Sequence, residues 1–265
     1  YCKNEQRIYV SQRQKGQIIC KMLQNTLRIT LVQVELFWNQ PEKNRNKLHK
    51  ILCNITDTDI VVLPELFTTA FCLDSVPEKM NGKSIAWMSK ISRDRSFVLC
   101  GSLPIVVDKK KYNRFIWAKP DGKIEFYDKR HLFSLASEDK FFKQGNIRKV
   151  FTYKSWRILP QICYDLRFPV FTRNDLEYDV IINVANWPSS RMFAWKTLLP
   201  ARAIENQAYV VGVNRLGTDP KGNNYEGFSV VYNFRGDKLI DLRCRENFKT
   251  VTLSYSKLVN ERKKY

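Results

Sequence analysis

Three reactive side chains stand where apolar segments of the sequence end. Glu65 directly follows the apolar run 61–64, Lys129 follows a predicted hairpin, and Cys163 closes the run 159–162. A carboxylate near buried surface has a raised pKa and can act as a general base. A fixed ammonium can stabilise an oxyanion. A thiol at the point where a strand turns into a helix is exposed to substrate, and the neighbouring main-chain N–H groups can donate to an anion.

Each of these residues, taken alone, also has a simpler interpretation. Glu65 can form a salt bridge at a strand end, Lys129 can belong to a basic surface turn, and Cys163 can be a small, inert core residue. The other six cysteines keep that last interpretation: Cys2, Cys20, Cys53, Cys72, Cys100 and Cys244. The three residues in this chain order are more specific together than apart.

Together they resemble the nitrilase superfamily, the carbon-nitrogen hydrolases with a Glu-Lys-Cys triad. The segments in the family's form are LPELF at 63–67, YDKRHLF at 127–133 and CYDLRFP at 163–169. The resemblance runs from about Leu27 to Leu258. NWPSSR at 186–191 and ARAIENQAYVVGVNR at 201–215 resemble the bacterial omega-amidase branch. One departure is Phe228, because many relatives carry histidine there.

The resemblance implies a covalent mechanism. Glu65 takes the proton of Cys163, and the thiolate attacks the amide carbon. Lys129 and the main-chain N–H of Tyr164 hold the oxyanion. A second family glutamate falls on Glu138, where it would orient Lys129 or the amide nitrogen.

The omega-amidase resemblance further implies a short amide with a free carboxylate, such as 2-oxoglutaramate. Its anionic end needs a cation, for which Arg167 is the first candidate and Arg191 the second. An ion pair with Asp165 or another acid is the alternative for Arg167. Three aromatic residues are expected to wall a small pocket: Phe133, Tyr164 and Trp187.

Two other functions stay open. One is a different superfamily activity, such as nitrile hydrolysis, N-carbamoyl amide hydrolysis or acyl transfer, and the other is a non-enzymatic basic binding protein. The chemistry implied by the resemblance needs no metal or organic cofactor. The sequence has only two histidines, His49 and His131, and lacks H-E-x-x-H, G-x-S-x-G and G-x-G-x-x-G motifs.

The composition is that of a globular protein. The 265 residues are 44% hydrophobic and carry a net charge of +19, from 45 Lys and Arg against 26 Asp and Glu. Because the charges are spread along the chain, we expect a solvated basic surface without specific nucleic-acid recognition. Seven scattered cysteines with no C-x-x-C pair indicate free thiols in a reducing compartment. The sequence has no run of ~20 apolar residues, and we expect a cytoplasmic location without membrane association.

The elements that must position these residues alternate between strands and helices. Predicted helices cover 41–55, 84–94 and 192–207; predicted strands cover 27–36, 59–63, 97–107, 179–184, 209–214 and 249–258; hairpins or strand pairs cover 114–126, 150–162 and 228–242. The order strand, helix, strand, helix, strand, hairpin occurs about twice. It predicts an α/β fold, and the resemblance specifies a four-layer αββα sandwich, with two mixed sheets faced by helices, that usually dimerises.

The sequence suggests three segments. Residues 1–26 form a predicted extension in which translation could start at Met22, residues 27–258 the hydrolase domain, and residues 259–265 a short tail.

Overall fold

The computed structural model describes residues 25–264, and within this range the chain forms two six-stranded sheets and one two-stranded hairpin. The strands are β1 (Thr26–Gln33), β2 (Ile60–Val62), β3 (Val98–Val107), β4 (Lys110–Ala118), β5 (Ile124–Asp128), β6 (Phe151–Tyr153), β7 (Trp156–Ile162), β8 (Val180–Ala185), β9 (Tyr209–Asn214), β10 (Leu216–Thr218), β11 (Asn224–Glu226), β12 (Val230–Tyr232), β13 (Lys238–Asp241) and β14 (Asn247–Ser254). The first sheet has the order β14-β1-β2-β3-β4-β5, the second has the order β13-β12-β9-β8-β7-β6, and β10 pairs with β11.

The α-helices in this part of the chain are α1 (Pro41–Cys53), α2 (Lys83–Arg95), α3 (Glu138–Phe141), α4 (Pro169–Thr172), α5 (Met192–Asn206) and α6 (Tyr255–Arg262). No helix among the described residues is long and apolar enough to cross a membrane. The predicted extension over 1–26, with its proposed start at Met22, lies outside the described residues except for positions 25 and 26.

The first sheet separates two apolar layers. Along β2, Ile60 and Val62 pack into the core between the two sheets, whereas Val61 packs with the outer layer formed by α1 and α2. This alternation arises because successive side chains of a strand point to opposite faces. Leu48 of α1 and Met88 of α2 are fully buried in the outer layer.

The second sheet is covered on both faces. Strands β7, β8 and β9 run parallel, and their apolar residues are almost all buried, as expected for parallel strands between two layers. Trp195, Leu199 and Ala203 of α5 join this core. The predicted four-layer αββα sandwich is therefore confirmed. Ile204 of the same helix is 55% exposed.

The carboxyl-terminal segment differs from its prediction. The last strand ends at Ser254, not at Leu258, because α6 begins at the next residue. The Ser254 hydroxyl accepts a hydrogen bond from the Lys257 main-chain nitrogen at 3.4 Å and so caps the helix. Helix α6 continues past position 258, where the sequence analysis ended the domain, and buries Leu258.

One element was not predicted from the sequence, and another begins earlier than predicted. The β10–β11 hairpin was absent from the predicted strands, and β4 begins at Lys110, four positions before the predicted hairpin. Asp108 and Lys109 make the turn that joins β3 to β4, and both have positive φ angles. Neither residue is glycine, so the usual sequence signal for this turn was lacking.

Candidate active site

A fully buried charge cluster lies between the ends of the two sheets. The Lys129 Nζ atom lies 2.8 Å from Glu65 Oε1, 3.0 Å from Glu138 Oε1 and 2.9 Å from Glu138 Oε2. All three side chains have zero exposure. Glu65 follows β2, Lys129 follows β5, and Glu138 begins the single-turn helix α3. The structure thus brings together three residues that the sequence placed on three separate segments.

Two further donors support the carboxylates. Asn113 Nδ2 on β4 donates to Glu65 Oε1 at 2.8 Å and to Glu138 Oε1 at 3.1 Å. The Phe133 main-chain nitrogen donates to Glu138 Oε2 at 2.7 Å. Hydrogen bonds to ionised carboxylates compensate part of the cost of burying them.

The charges of the cluster shift the pKa values of Lys129 and Glu138. Burial by itself lowers the pKa of Lys129, but the charges of Glu138 and Glu65 outweigh it and raise that pKa. Burial and the neighbouring charge of Glu65 raise the pKa of Glu138 despite the opposing effect of Lys129. Lys129 is therefore an ammonium at neutral pH, with one positive charge between two carboxyl groups.

Cys163 stands at the end of β7, at the first residue of the 3₁₀ turn Cys163–Arg167. Its φ angle of 48° is in the left-handed region, which a non-glycine residue adopts only at an energetic cost. Burial, with the charge of Glu65, raises the pKa of the thiol. Cys163 is therefore protonated at neutral pH and needs a base to become a nucleophile.

Asp165 holds the cysteine turn in place. Its carboxylate accepts hydrogen bonds from the Ile162 main-chain nitrogen at 3.0 Å, the Tyr127 hydroxyl at 2.8 Å and the His131 main-chain nitrogen at 2.9 Å. The segment that carries Lys129 is thus tied to the segment that carries Cys163. These partners replace the ion pair with Arg167 that the sequence left open.

Asn186 joins the two sheets at the site. Its main-chain nitrogen donates to Glu65 Oε2 at 2.8 Å, and its Nδ2 donates to the Glu65 main-chain oxygen at 2.8 Å. Its own carbonyl oxygen lies 3.9 Å from Cys163 Sγ. Asn186 follows β8 of the second sheet. The loop after this strand therefore positions the carboxylate of Glu65, which follows β2 of the first sheet.

A cavity of about 320 Å³ opens at Cys163. All five predicted substrate-binding residues line it: Phe133, Tyr164, Arg167, Trp187 and Arg191. The Arg167 guanidinium lies 5.5 Å from the Trp187 ring centre, and the Arg191 guanidinium lies 4.7 Å from that of Phe133.

The cavity has an excess of positive charge. Lys221 lines it together with Arg167 and Arg191. Among residues 25–264, none of these three side chains has a carboxylate within 4 Å. An anionic group of a bound molecule would therefore meet cations that are not ion-paired with a carboxylate in the described part of the chain.

Several residues of the site were not predicted from the sequence. They are Phe71, Asn113, Asn186, Lys221, Asn223 and Tyr225. Asn186 opens the NWPSSR segment that was noted for its resemblance, so a signal was present for that residue. Asn113 lies in the middle of a strand, where an isolated asparagine has no periodic or motif signal.

Comparison with known proteins gives a consistent result. A family model described as carbon-nitrogen hydrolase matches residues 28–255. The omega-amidase YafV of Yersinia enterocolitica is 44% identical over 214 residues, which cover 80% of this chain and 84% of that protein. The 2-oxoglutaramate amidase of Bacillus subtilis is 31% identical over 211 residues, which cover 77% of this chain and 81% of that protein.

A solved structure is similar throughout. A CN-hydrolase superfamily protein from Xanthomonas campestris, with an arsenic adduct in its active site, superposes with a TM-score of 0.89 at 40% identity. The match covers 91% of this chain and 95% of that one.

Proposed function

The chain belongs to the carbon-nitrogen hydrolase family, and we propose that it hydrolyses the terminal amide of a short carboxylate-bearing substrate, as an omega-amidase. The observation that carries this proposal is the cavity at Cys163, where three cations have no carboxylate partner among the described residues. The similar proteins named omega-amidase and 2-oxoglutaramate amidase support 2-oxoglutaramate as the first substrate to test.

In the first half of the proposed reaction, Glu65 accepts the proton of the Cys163 thiol and the sulfur bonds to the amide carbon. The electron pair of the carbonyl moves to its oxygen, where the Lys129 ammonium and the Tyr164 N–H stabilise the charge. Tyr164 is the second residue of its 3₁₀ turn, and N–H groups at the start of such a turn lack intrahelical partners. When the carbon–nitrogen bond breaks, Glu65 returns the proton to nitrogen, and ammonia leaves.

The second half regenerates the enzyme. Glu65 accepts a proton from water while the oxygen of that water bonds to the thioester carbon. The carbon–sulfur bond then breaks, the carboxylic acid product leaves, and the sulfur is reprotonated through Glu65. Glu138 holds Lys129 throughout, with contacts of 2.9 and 3.0 Å to the ammonium.

The substrate carboxylate is proposed to lie at the cationic side of the cavity. Arg167 is the first candidate and Arg191 the second, because both line the cavity with their guanidinium groups beside aromatic rings. Aromatic faces can fix a guanidinium without neutralising its charge. Each guanidinium therefore stays available to a carboxylate.

We propose that the enzyme is a homodimer. Val170 of α4 is 84% exposed and Phe193 of α5 is 85% exposed. Large apolar side chains exposed on adjacent helices are typical of protein interfaces. A second copy of the chain is the proposed occupant, and Phe193→Glu is expected to shift sedimentation from dimer to monomer.

We also propose that the enzyme works in the reducing cytoplasm. The five cysteines in the described part of the chain are free thiols. Cys163 is one of them, and the proposed chemistry requires it in this state.

The test is an ammonia-release panel with the purified protein. It compares 2-oxoglutaramate and succinamate with the methyl ester of succinamate, which keeps the amide and removes the charge, and with nitriles and N-carbamoyl amines. We expect kcat/KM for succinamate to exceed that for its ester by about tenfold or more. Faster turnover of the nitriles or the carbamoyl compounds would favour the other superfamily activities, and faster turnover of the ester would contradict recognition of a substrate carboxylate. Retention on heparin at physiological salt with no turnover of any compound would favour a basic binding protein.

Two variants then assign the carboxylate contact. Arg167→Gln is expected to raise KM for succinamate more than Arg191→Gln does, with little effect on KM for the ester. Lys249→Met is the matched control, because it removes an exposed positive charge that does not line the cavity.

A further inference from the structure

The hairpin formed by β10 and β11 has a single carboxylate at its tip that collects four hydrogen bonds. Asp219 Oδ1 accepts from the main-chain nitrogens of Lys221 and Asn223, both at 2.9 Å. Asp219 Oδ2 accepts from Asn223 Nδ2 at 2.9 Å and from the Tyr225 hydroxyl at 3.0 Å. Asp219 is only 6% exposed.

The three residues that donate to Asp219 are the three residues of this hairpin that line the active-site cavity. Asp219 itself does not line the cavity. One buried carboxylate therefore organises the part of the cavity wall that the hairpin supplies.

The base of the hairpin is held by other contacts. The Leu216 main-chain nitrogen donates to the Val34 oxygen at 2.9 Å, and Arg215 Nη2 donates to the Leu36 oxygen at 3.2 Å. The Arg215 guanidinium lies 4.6 Å from the centre of the Tyr225 ring. The turn 219–223 is ordered by main-chain hydrogen bonds, from Asp219 N to Asn223 O at 3.0 Å and from Gly222 N to Asp219 O at 2.9 Å, together with the Asp219 carboxylate.

The hydrogen bonds also keep Asp219 ionised. Burial by itself raises its pKa, but the hydrogen bonds from Asn223, Tyr225 and Lys221 outweigh burial and lower it. A carboxylate that accepts several N–H and O–H donors is a strong constraint on the loop that supplies them.

We propose that Asp219 is a positioning residue for substrate recognition, which holds the hairpin tip so that the Lys221 ammonium contributes to binding the substrate carboxylate. This inference rests on the proposed omega-amidase function. It adds to the two arginine candidates a third cation, one whose place depends on a residue outside the cavity.

The first test separates binding from chemistry. Asp219→Asn keeps the shape but replaces one acceptor with a donor that faces Asn223 and Tyr225. We expect Asp219→Asn and Lys221→Met each to raise KM for succinamate by about fivefold, the upper range for an exposed ion pair. We expect kcat, and KM for the methyl ester, to change less than twofold. Lys249→Met is the control for loss of one surface charge.

The double variant tests whether Asp219 acts through Lys221. In the Lys221→Met background, Asp219→Asn is expected to raise KM for succinamate little further. If the two effects multiply, or if Asp219→Asn alone leaves KM for succinamate unchanged, the proposal is overturned. Should Asp219→Asn fail to fold, Tyr225→Phe removes one of the four hydrogen bonds while keeping the ring, and is expected to change KM in the same direction.

A second readout does not depend on turnover. Iodoacetate and iodoacetamide alkylate thiols, and only the first is anionic, so the ratio of their rates at Cys163 reports the positive potential of the cavity. We expect Asp219→Asn and Lys221→Met to lower this ratio severalfold, with Cys163 identified by peptide mass spectrometry. An unchanged ratio contradicts the role of Lys221. A wild-type enzyme that prefers the neutral ester instead contradicts the proposed function, whatever the ratio.

Discussion

The ammonium nitrogen of Lys129 lies 2.8 Å from Glu65 Oε1, and both side chains are fully buried. Glu138 contacts the same ammonium from another direction at 2.9 Å. One cation between two carboxyl groups leaves the buried cluster with an excess of negative charge when both are ionised. Burial and this charge raise the pKa of the Cys163 thiol, so the sulfur keeps its proton until Glu65 removes it.

Replacement of the nucleophile gives the first prediction. Cys163→Ala should lower amide hydrolysis by several orders of magnitude, since removing a covalent nucleophile removes the intermediate. The fold should be retained, because the change deletes one sulfur atom at the edge of a cavity. Ammonia release and thermal melting measure the two effects. Cys53→Ala, at an exposed thiol, is the control. Near-normal turnover of the Cys163 variant would contradict the proposed mechanism.

Replacements of the two partners in the buried pair should differ from each other. Glu65→Gln removes the base, so activity is lost, and its amide N–H must face a donor, either Lys129 Nζ or Asn186 N, which costs some stability. Lys129 stays paired with Glu138, so this loss should be smaller than that of Lys129→Ala. Lys129→Ala leaves two buried carboxylates without a cation and should cost about 3–5 kcal/mol of stability in addition to activity. Lys140→Ala, at a nearby exposed position, controls for loss of a positive charge. Equal losses of stability in the two active-site variants would contradict the charge arrangement.

Asn113 offers a test of the same cluster through a neutral residue. Asn113→Ala loses hydrogen bonds to Glu65 and Glu138 and should cost about 1 kcal/mol for each. Asn113→Asp places a third carboxylate beside them and should be less stable than Asn113→Ala at pH 7. Because protonation neutralises the added charge, the difference in unfolding free energy between the two variants should become smaller as the pH falls. Urea unfolding at several pH values gives the comparison, and a gap independent of pH would contradict it.

The acid side of the pH–rate profile should report Glu138. Burial and the charge of Glu65 raise the pKa of Glu138 above its ordinary value of 4.5. Since the proposed reaction uses both carboxylates ionised, kcat/KM should fall as the pH drops through a value above 4.5. Glu138→Gln removes the group to which this acid limb is assigned, so the fall of kcat/KM at that pH should be absent from the remaining activity. An acid limb at the same pH in both proteins would show that Glu138 does not set it.

Much of the fold was accessible from local patterns. Strand β9 was predicted with both its ends correct, and α5 was predicted to within one residue at its end. Their apolar periodicity reflects which neighbouring layer each face meets. The error at Ser254 has a different origin, because the hydroxyl that begins α6 interrupts a segment whose apolar residues continue to Leu258.

The proposed catalytic residues were accessible for a related reason. Glu65, Lys129 and Cys163 each stand in a short motif at the end of a strand or hairpin, so residue type and local context named them as candidates, and the resemblance joined them into one triad. Glu138 and the cavity-lining residues Arg167 and Arg191 were named through the resemblance. The sequence did not predict which residues these side chains contact.

The sequence by itself determined the alternating elements and the reactive residue types, because both depend on patterns within a few neighbouring positions. Only the tertiary structure decided that Asn186 holds Glu65 across two sheets, and that Asp165 binds Tyr127 and His131 instead of Arg167. It also placed Lys221 at the cavity and bound its main-chain nitrogen to Asp219. Such choices depend on which loops the packing of the two sheets brings within hydrogen-bonding distance. Residues separated by 121 positions, as Glu65 and Asn186 are, leave no local pattern of that contact in one sequence.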